Sequence, residues 1–222
     1  MISKIDKFIY IHIPKTAGCS IELVLKEKFK DATTISEDPN WNWPTKHDSI
    51  IEYDVSMTDP LNDYFTFTFV RNPWSRMVSL WKHLKCPKAP ASQSLGWADI
   101  GGTSIPNIGF EEFVFDFWKM IKLAQNAHWW NPHRKYMFSG PQLNFITNEK
   151  NEMNLDFIGR FENLQNDFNY VCKKLNITEE TLPHVNSTPD PRPYQEYYKS
   201  QKCIDEVASI YKKDIDFFKY DF

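Results

Sequence analysis

Lys15 stands in a short run of small and polar residues, Lys15-Thr16-Ala17-Gly18-Cys19-Ser20. An apolar run, Phe8 to Ile13, precedes it and stops at Pro14; Ile21, Leu23, Val24 and Leu25 follow. A strand, a tight loop and a helix in that order turn backbone N–H groups and a helix N-terminus toward one point. A lysine in such a loop marks the point as anionic, and Gly18 permits close backbone approach. The pattern is not an ATPase P-loop, which needs G-x-x-x-x-G-K-[ST] with the lysine after the glycines. Here Lys15 precedes Gly18 and no second glycine is present. Arg71 and Ser79 form a second candidate anion site. Arginine offers a planar fork for phosphate and serine a hydroxyl donor. Taken singly, the loop could be a plain connection and Arg71 a surface or capping arginine. Taken together, they imply a ligand phosphorylated at two positions. Six histidines, His12, His47, His83, His128, His133 and His184, are candidate bases near neutral pH. His12, inside the apolar run, reads as a satisfied core residue.

The elements that must position these residues follow from periodicity. Phe8 to Ile13 has the continuous apolar character of a strand buried on both faces. Ile21, Val24, Leu25 and Phe29 fall at helical spacing, with Lys26, Lys28 and Lys30 near the end as the helix dipole prefers. Residues 31–48 are irregular, and 48–55 read as a short helix capped by Asp48 or Ser49. Tyr64 to Val70 is a second strand, ending at Arg71-Asn72-Pro73, and Pro73 opens a helix running to Leu84. Arg71 thereby lies at a strand's C-terminal end, where open α/β sheets place ligands. Residues 85–108 read as an inserted loop, and Phe110 to Ala124 as a helix. The stretch 126–141 is irregular and rich in His and Trp. Leu155 to Gly159 is a third strand, Leu164 to Leu175 a helix, 182–192 a proline-punctuated loop, and Tyr194 to Phe218 a closing helix. Three strand–turn–helix units predict an α/β fold with a central parallel sheet. The expected organisation is one domain, 1–222, with an irregular insertion around 85–108.

At 222 residues and net charge −3, no global field favours nucleic acid, so anion binding must come from local placement. Aromatics make up 16% of the chain, enough for some to line a site as well as fill a core. Four scattered cysteines form no C-x-x-C pair, which argues against zinc and for free thiols in a reducing compartment. No acidic cluster points to a metal. The opening residues are polar rather than leader-like, and no apolar stretch approaches the ~20 residues of a membrane span. The expectation is a cytoplasmic or otherwise soluble protein without a signal peptide or membrane span.

Phe8 to Ser20 (FIYIHIPKTAGCS) and Phe67 to Leu80 (FTFVRNPWSRMVSL), in this order, resemble the sulfotransferases. The likeness is greatest to the carbohydrate branch that includes the heparan sulfate 2-O and chondroitin enzymes. It extends more weakly through Phe157 to Leu164 and Leu182 to Ser187, covering most of the chain except 85–108. The resemblance implies a P-loop-like central sheet flanked by helices. It implies 3′-phosphoadenosine 5′-phosphosulfate (PAPS) as donor, a hydroxyl-bearing acceptor such as a carbohydrate, and no required metal. Carried onto this chain, Lys15, Thr16, Ala17, Gly18, Cys19 and Ser20 hold the phosphosulfate. Arg71 and Ser79 hold the 3′-phosphate, and the segment ending at Ser187 closes over the donor. Similar family members carry a catalytic histidine in the region of His47, which makes His47 the expected base, with Lys15 stabilising the bridging oxygen. One position departs from the pattern. The family has Thr or Ser where Cys19 stands, so a hydroxyl donor becomes a weaker thiol donor. His128 and His133 with Trp129 and Trp130 read as acceptor-side residues or, equally, as a packed aromatic loop. Two alternatives stay open. A nucleotide-kinase-type phosphotransferase would need a Walker loop and Mg²⁺ ligands, and neither is seen. A nucleotide-binding protein without catalysis would bind the donor and turn nothing over.

Overall fold

A computed structural model describes residues 1–33, 47–57, 59–85, 108–117, 140–148, 150, 152–185, 190 and 192–222. In chain order the elements are β1 (Ile2–Ser3), β2 (Phe8–Ile11), α1 (Gly18–Lys28), α2 (Ile50–Ser56), β3 (Phe65–Val70), α3 (Pro73–Lys85) and α4 (Phe110–Glu112). Then come α5 (Leu143–Ile146), β4 (Phe157–Arg160), α6 (Leu164–Lys174), α7 (Gln201–Ile210) and α8 (Lys212–Phe218). The chain divides into two compact units. The first is Met1–Arg71 with Gln142–Ser187, the second Asn72–Pro141 with Thr188–Phe222.

The first unit carries the sheet, in the order β1-β2-β3-β4. β2, β3 and β4 are parallel, as the three strand–turn–helix units predict. The sheet is mixed rather than purely parallel. The chain turns through residues 4–7, with Lys7 at φ 51°, so that Ile2–Ser3 pairs antiparallel with β2. Two residues are too few for periodicity to reveal. Alternation along the strands sets Phe8, Tyr10, Phe67 and Phe69 on one face. There they pack with Ile21, Val24 and Leu25 of α1 and with Phe168 and Val171 of α6. Tyr10 stacks on Phe67 with ring centroids 5.1 Å apart. Ser49 is the N-cap of α2, and its amide donates to Glu52 Oε2 at 2.6 Å, the reciprocal half of a capping box.

Gly159 is paired in register with Phe69, and a Cβ at that position would overlap the fully buried Phe69 ring. Gly159→Ala is therefore expected to cost about 1–3 kcal/mol of stability through overpacking. That corresponds to a fall of roughly 2–12 °C in the unfolding midpoint measured by calorimetry. An unchanged midpoint would contradict this packing.

The second unit is helical among its described residues. Asn72 caps α3, its Oδ1 accepting from the amides of Trp74 at 3.0 Å and Ser75 at 3.2 Å, with Pro73 as the first helical residue. Trp74, Met77 and Val78 of α3 pack with Phe110, Phe113, Val207 and Tyr211. The segment from Tyr194 to Phe218 is not the single helix its pattern predicts. It forms a 3-10 turn over Tyr194–Tyr197, then α7, then α8. The break has a polar cause. Glu111 Oε1 accepts from the Lys199 amide, the Ser200 amide and the Ser200 hydroxyl at 2.8–2.9 Å, and Ser200 Oγ in turn accepts from the Cys203 amide. After Glu112 the helix continues as a π-helical turn over Phe113–Phe117; the remainder of the predicted helix, 118–124, and nearly all of the insertion lie outside the described residues. In the proline-punctuated loop, Arg192 and Tyr197 bond to Asp190 and hold its carboxyl well below the usual range. Burial, then the same carboxylate, pushes the Tyr197 phenol up to about 12.

Candidate active site

β2 and β3 are adjacent and parallel, so the segments that follow them emerge at the same edge of the sheet. After β2 the chain passes through His12, Ile13 and Pro14 into the loop. Lys15 has φ 70° and Ala17 φ 71°, both in the left-handed region although neither is glycine. Such a conformation costs roughly 1 kcal/mol or more per residue and persists where the surroundings enforce it. Thr16 supplies part of that enforcement: it is buried, and its hydroxyl donates to Ile13 O at 2.8 Å, folding the loop back on the strand end. α1 begins at Gly18 with Ala17 as N-cap. The Ser20 amide closes onto Ala17 O at 3.0 Å, so Gly18 and Cys19 carry the amides at the helix tip. Ser20 Oγ accepts from the Val185 amide at 3.4 Å, which brings the described part of the 182–187 segment to the first turn of α1.

Arg71 follows β3 directly. Gln142, fully buried, grips its backbone from both sides: Arg71 N–H donates to Gln142 Oε1 and Gln142 Nε2 donates to Arg71 O, each at 2.8 Å. The guanidinium lies over the Phe161 ring, 3.8 Å from its centroid, and Nη1 donates to Lys15 O at 3.3 Å. The two sequence-predicted cationic positions are thereby joined through a direct hydrogen bond.

His47 is brought to the same edge. Its Nδ1 lies 2.9 Å from the His12 carbonyl oxygen, and its ring stands edge-on to the His12 ring at 4.4 Å. A carbonyl only accepts, so Nδ1 carries a proton, and in the neutral ring Nε2 holds the lone pair. His12, just past the end of β2, is buried and paired, as expected of a satisfied core residue. Its Nδ1 lies 2.7 Å from Glu22 Oε1, on a carboxylate that α1 carries into the interior. A Cβ at Gly18 would collide with the His12 imidazole, so glycine is needed there for the ring to pass beneath the helix start. Tyr10 stacks on the other side of His12. Burial, with Glu22 and Cys19 adding, pushes its phenol well above the ordinary value, and its hydroxyl meets no hydrogen-bond partner among the described residues.

The structure thus gathers Lys15 to Ser20, Arg71 and His47 in the first unit. Ser79 sits half-buried on α3 of the second unit. Ser187, His128, Trp129, Trp130 and His133 lie outside the described residues. Gln142, Glu22 and the pairing role of His12 went unpredicted. Gln142 lies in no periodic segment, and the His12–Glu22 contact spans a strand end, a loop and a helix turn. A single acid beside the apolar face of α1 was the one available hint. No group of three or more potential metal ligands occurs among the described residues. No helix among them is long and apolar enough to cross a membrane.

An uncharacterized protein of Archaeoglobus fulgidus is 27% identical over 127 residues, spanning 57% of this chain and 80% of the relative. No solved structure gives a significant match. The sequence profile described as the sulfotransferase family matches residues 1–221, a span that includes both the Lys15 loop and Arg71, and on that match the chain belongs to the sulfotransferase family.

Proposed function

We propose that this chain moves a sulfuryl group from PAPS to a hydroxyl of a carbohydrate, with residues 1–222 acting as one sulfotransferase domain and 85–108 as its insertion. The observation that carries the reading is the pairing of the Lys15 loop with Arg71 at one edge of the β2–β3 pair, linked by the Arg71–Lys15 hydrogen bond. The donor set fits an anion carrying phosphates at both ends: an ammonium and a helix N-terminus in the loop, a guanidinium at the neighbouring strand end. The carbohydrate acceptor rests on the resemblance of FIYIHIPKTAGCS and FTFVRNPWSRMVSL to the carbohydrate branch.

PAPS, when bound, supplies a sulfuryl group activated by a phosphate leaving group. The amides of Gly18 and Cys19 receive the phosphosulfate end, with Thr16, Ala17 and Ser20 shaping the loop. Lys15 neutralises charge that grows on the leaving oxygen. Arg71, Ser79 and, from the closing segment, Ser187 bind the remainder of the donor, the first two at its 3′-phosphate. His47 Nε2 takes the proton of the acceptor hydroxyl. None of these roles calls on a metal ion.

The test is transfer of labelled sulfate from PAPS to a panel of glycans, lipids and small alcohols. Label entering glycans is expected. Label entering only lipids or alcohols would overturn the acceptor class, and no transfer by folded protein would favour a binder without catalysis. Donor identity has its own check. Arg71→Ala is expected to weaken adenosine 3′,5′-bisphosphate about 10- to 100-fold in calorimetric titration while leaving adenosine 5′-phosphate nearly unaffected. Equal losses for the two nucleotides would sink the 3′-phosphate assignment.

A further inference from the structure

We infer that Glu22 and His12 form a positioning pair that fixes the ring of His47 in its Nδ1–H tautomer. The inference deepens the proposed function, in that it rests on His47 as the base, but its observations are independent of any ligand. Glu22 lies in the second turn of α1 and is 7% exposed. Burying a carboxylate is strongly unfavourable unless it is paired and hydrogen-bonded. The 2.7 Å contact with His12 Nδ1 meets that requirement, and a carboxylate that only accepts fixes the proton on His12 Nδ1.

His12 then acts with two parts of itself. Its side chain runs to Glu22, while its carbonyl accepts from His47 Nδ1 at 2.9 Å, and the two rings touch edge to face. The ring is also confined by Gly18 above and Tyr10 beside it. Anchoring the ring anchors the peptide that carries the carbonyl. A neutral imidazole left to water prefers its proton on Nε2, the opposite of what a base acting through Nε2 needs. A fixed carbonyl at Nδ1 reverses that preference, and Glu22 fixes the carbonyl through His12. His47 itself lies in the irregular stretch just before α2. Glu22 and His12 are thus positioning residues, acting through His47 rather than on substrate.

The experiment is a long-range 1H–15N correlation spectrum of the histidine rings in uniformly 15N-labelled full-length protein, at about pH 8.5, two units above the ordinary histidine pKa. His47→Ala assigns the signal. Wild type is expected to show His47 in the Nδ1–H pattern. Glu22→Gln keeps an acceptor oxygen toward His12 and is expected to keep that pattern. Glu22→Ala is expected to shift His47 toward the Nε2–H or averaged pattern while the amide spectrum stays that of a folded protein. If Glu22→Ala does not fold, Glu22→Asp carries the test, since the shorter side chain withdraws from His12 without losing charge; release of His47 is expected there too. A His47 ring that stays locked in the folded alanine or aspartate variant overturns the inference. So does a glutamine variant that releases it as fully as alanine does. Because the spectrum needs neither donor nor acceptor, its failure is separable from failure of the sulfotransfer reading, which the labelled-sulfate assay decides.

Discussion

Replacing His47 with alanine is expected to lower sulfate transfer by about 10²- to 10⁴-fold, the usual contribution of a positioned general base. Affinity for adenosine 3′,5′-bisphosphate should be almost unchanged, because the proposed donor contacts come from Lys15 to Ser20 and Arg71, while the His47 ring is held by the His12 carbonyl. The two measurements together discriminate between classes of protein. A binder without chemistry loses nothing in either, an enzyme that uses another base keeps its turnover, and a collapsed site loses both. Only the split, with turnover lost and binding kept, agrees with the proposed role. Retained transfer in folded His47→Ala would remove His47 from the mechanism.

Lys15→Ala carries the second large effect, an expected fall of about 10²- to 10³-fold in transfer, comparable with removing one preorganised donor from a site of developing charge. The substitution is unusually clean at this position. Lys15 already occupies the left-handed region, where alanine is no less comfortable than lysine, as Ala17 two residues on illustrates. The bond to Arg71 uses the Lys15 carbonyl and survives the change. What is removed is the side chain beyond Cβ, with its ammonium. If Lys15 acts on the leaving oxygen, turnover should fall much further than donor-product affinity. Equal falls would reduce it to a counter-charge for the bound nucleotide.

Much of the sheet was legible in the sequence because its strands are short apolar runs with sharp ends. Pro14 stops the first, and Arg71-Asn72-Pro73 stops the second while opening the next helix. The same punctuation exposed the Lys15 loop and Arg71, since both stand where a strand has just ended. What could not be read depends on residues distant in sequence. The helix expected from Tyr194 to Phe218 has continuous periodicity, yet Glu111, 89 residues from Ser200, captures three donors and interrupts it. Gln142 holds Arg71 from a separation of 71 residues, in a stretch with no pattern of its own. Glu22 carries no clear signal of its own in the sequence, because its burial becomes visible only when His12 is seen to meet it. Local propensity encodes elements; the contacts that tune a site are set by which elements come together.

The pairing of β3 with β4 has a consequence for how the chain is made. Paired residues such as Phe67 and Phe157 are 90 positions apart, and neither compact unit is contiguous in sequence. At synthesis rates of about 5–20 residues per second, β3 waits roughly 5–20 s for its partner, with one edge open. That edge belongs to Phe65–Val70, an aromatic and β-branched strand of the kind that templates wrong pairing. The usual guards, a lysine or proline in the strand, are denied to it. The only polar residues it carries, Thr66 and Thr68, are themselves buried in the finished sheet. Protection of the nascent chain must therefore come from outside the strand, and yield on expression should depend on how slowly the ribosome reaches residue 157.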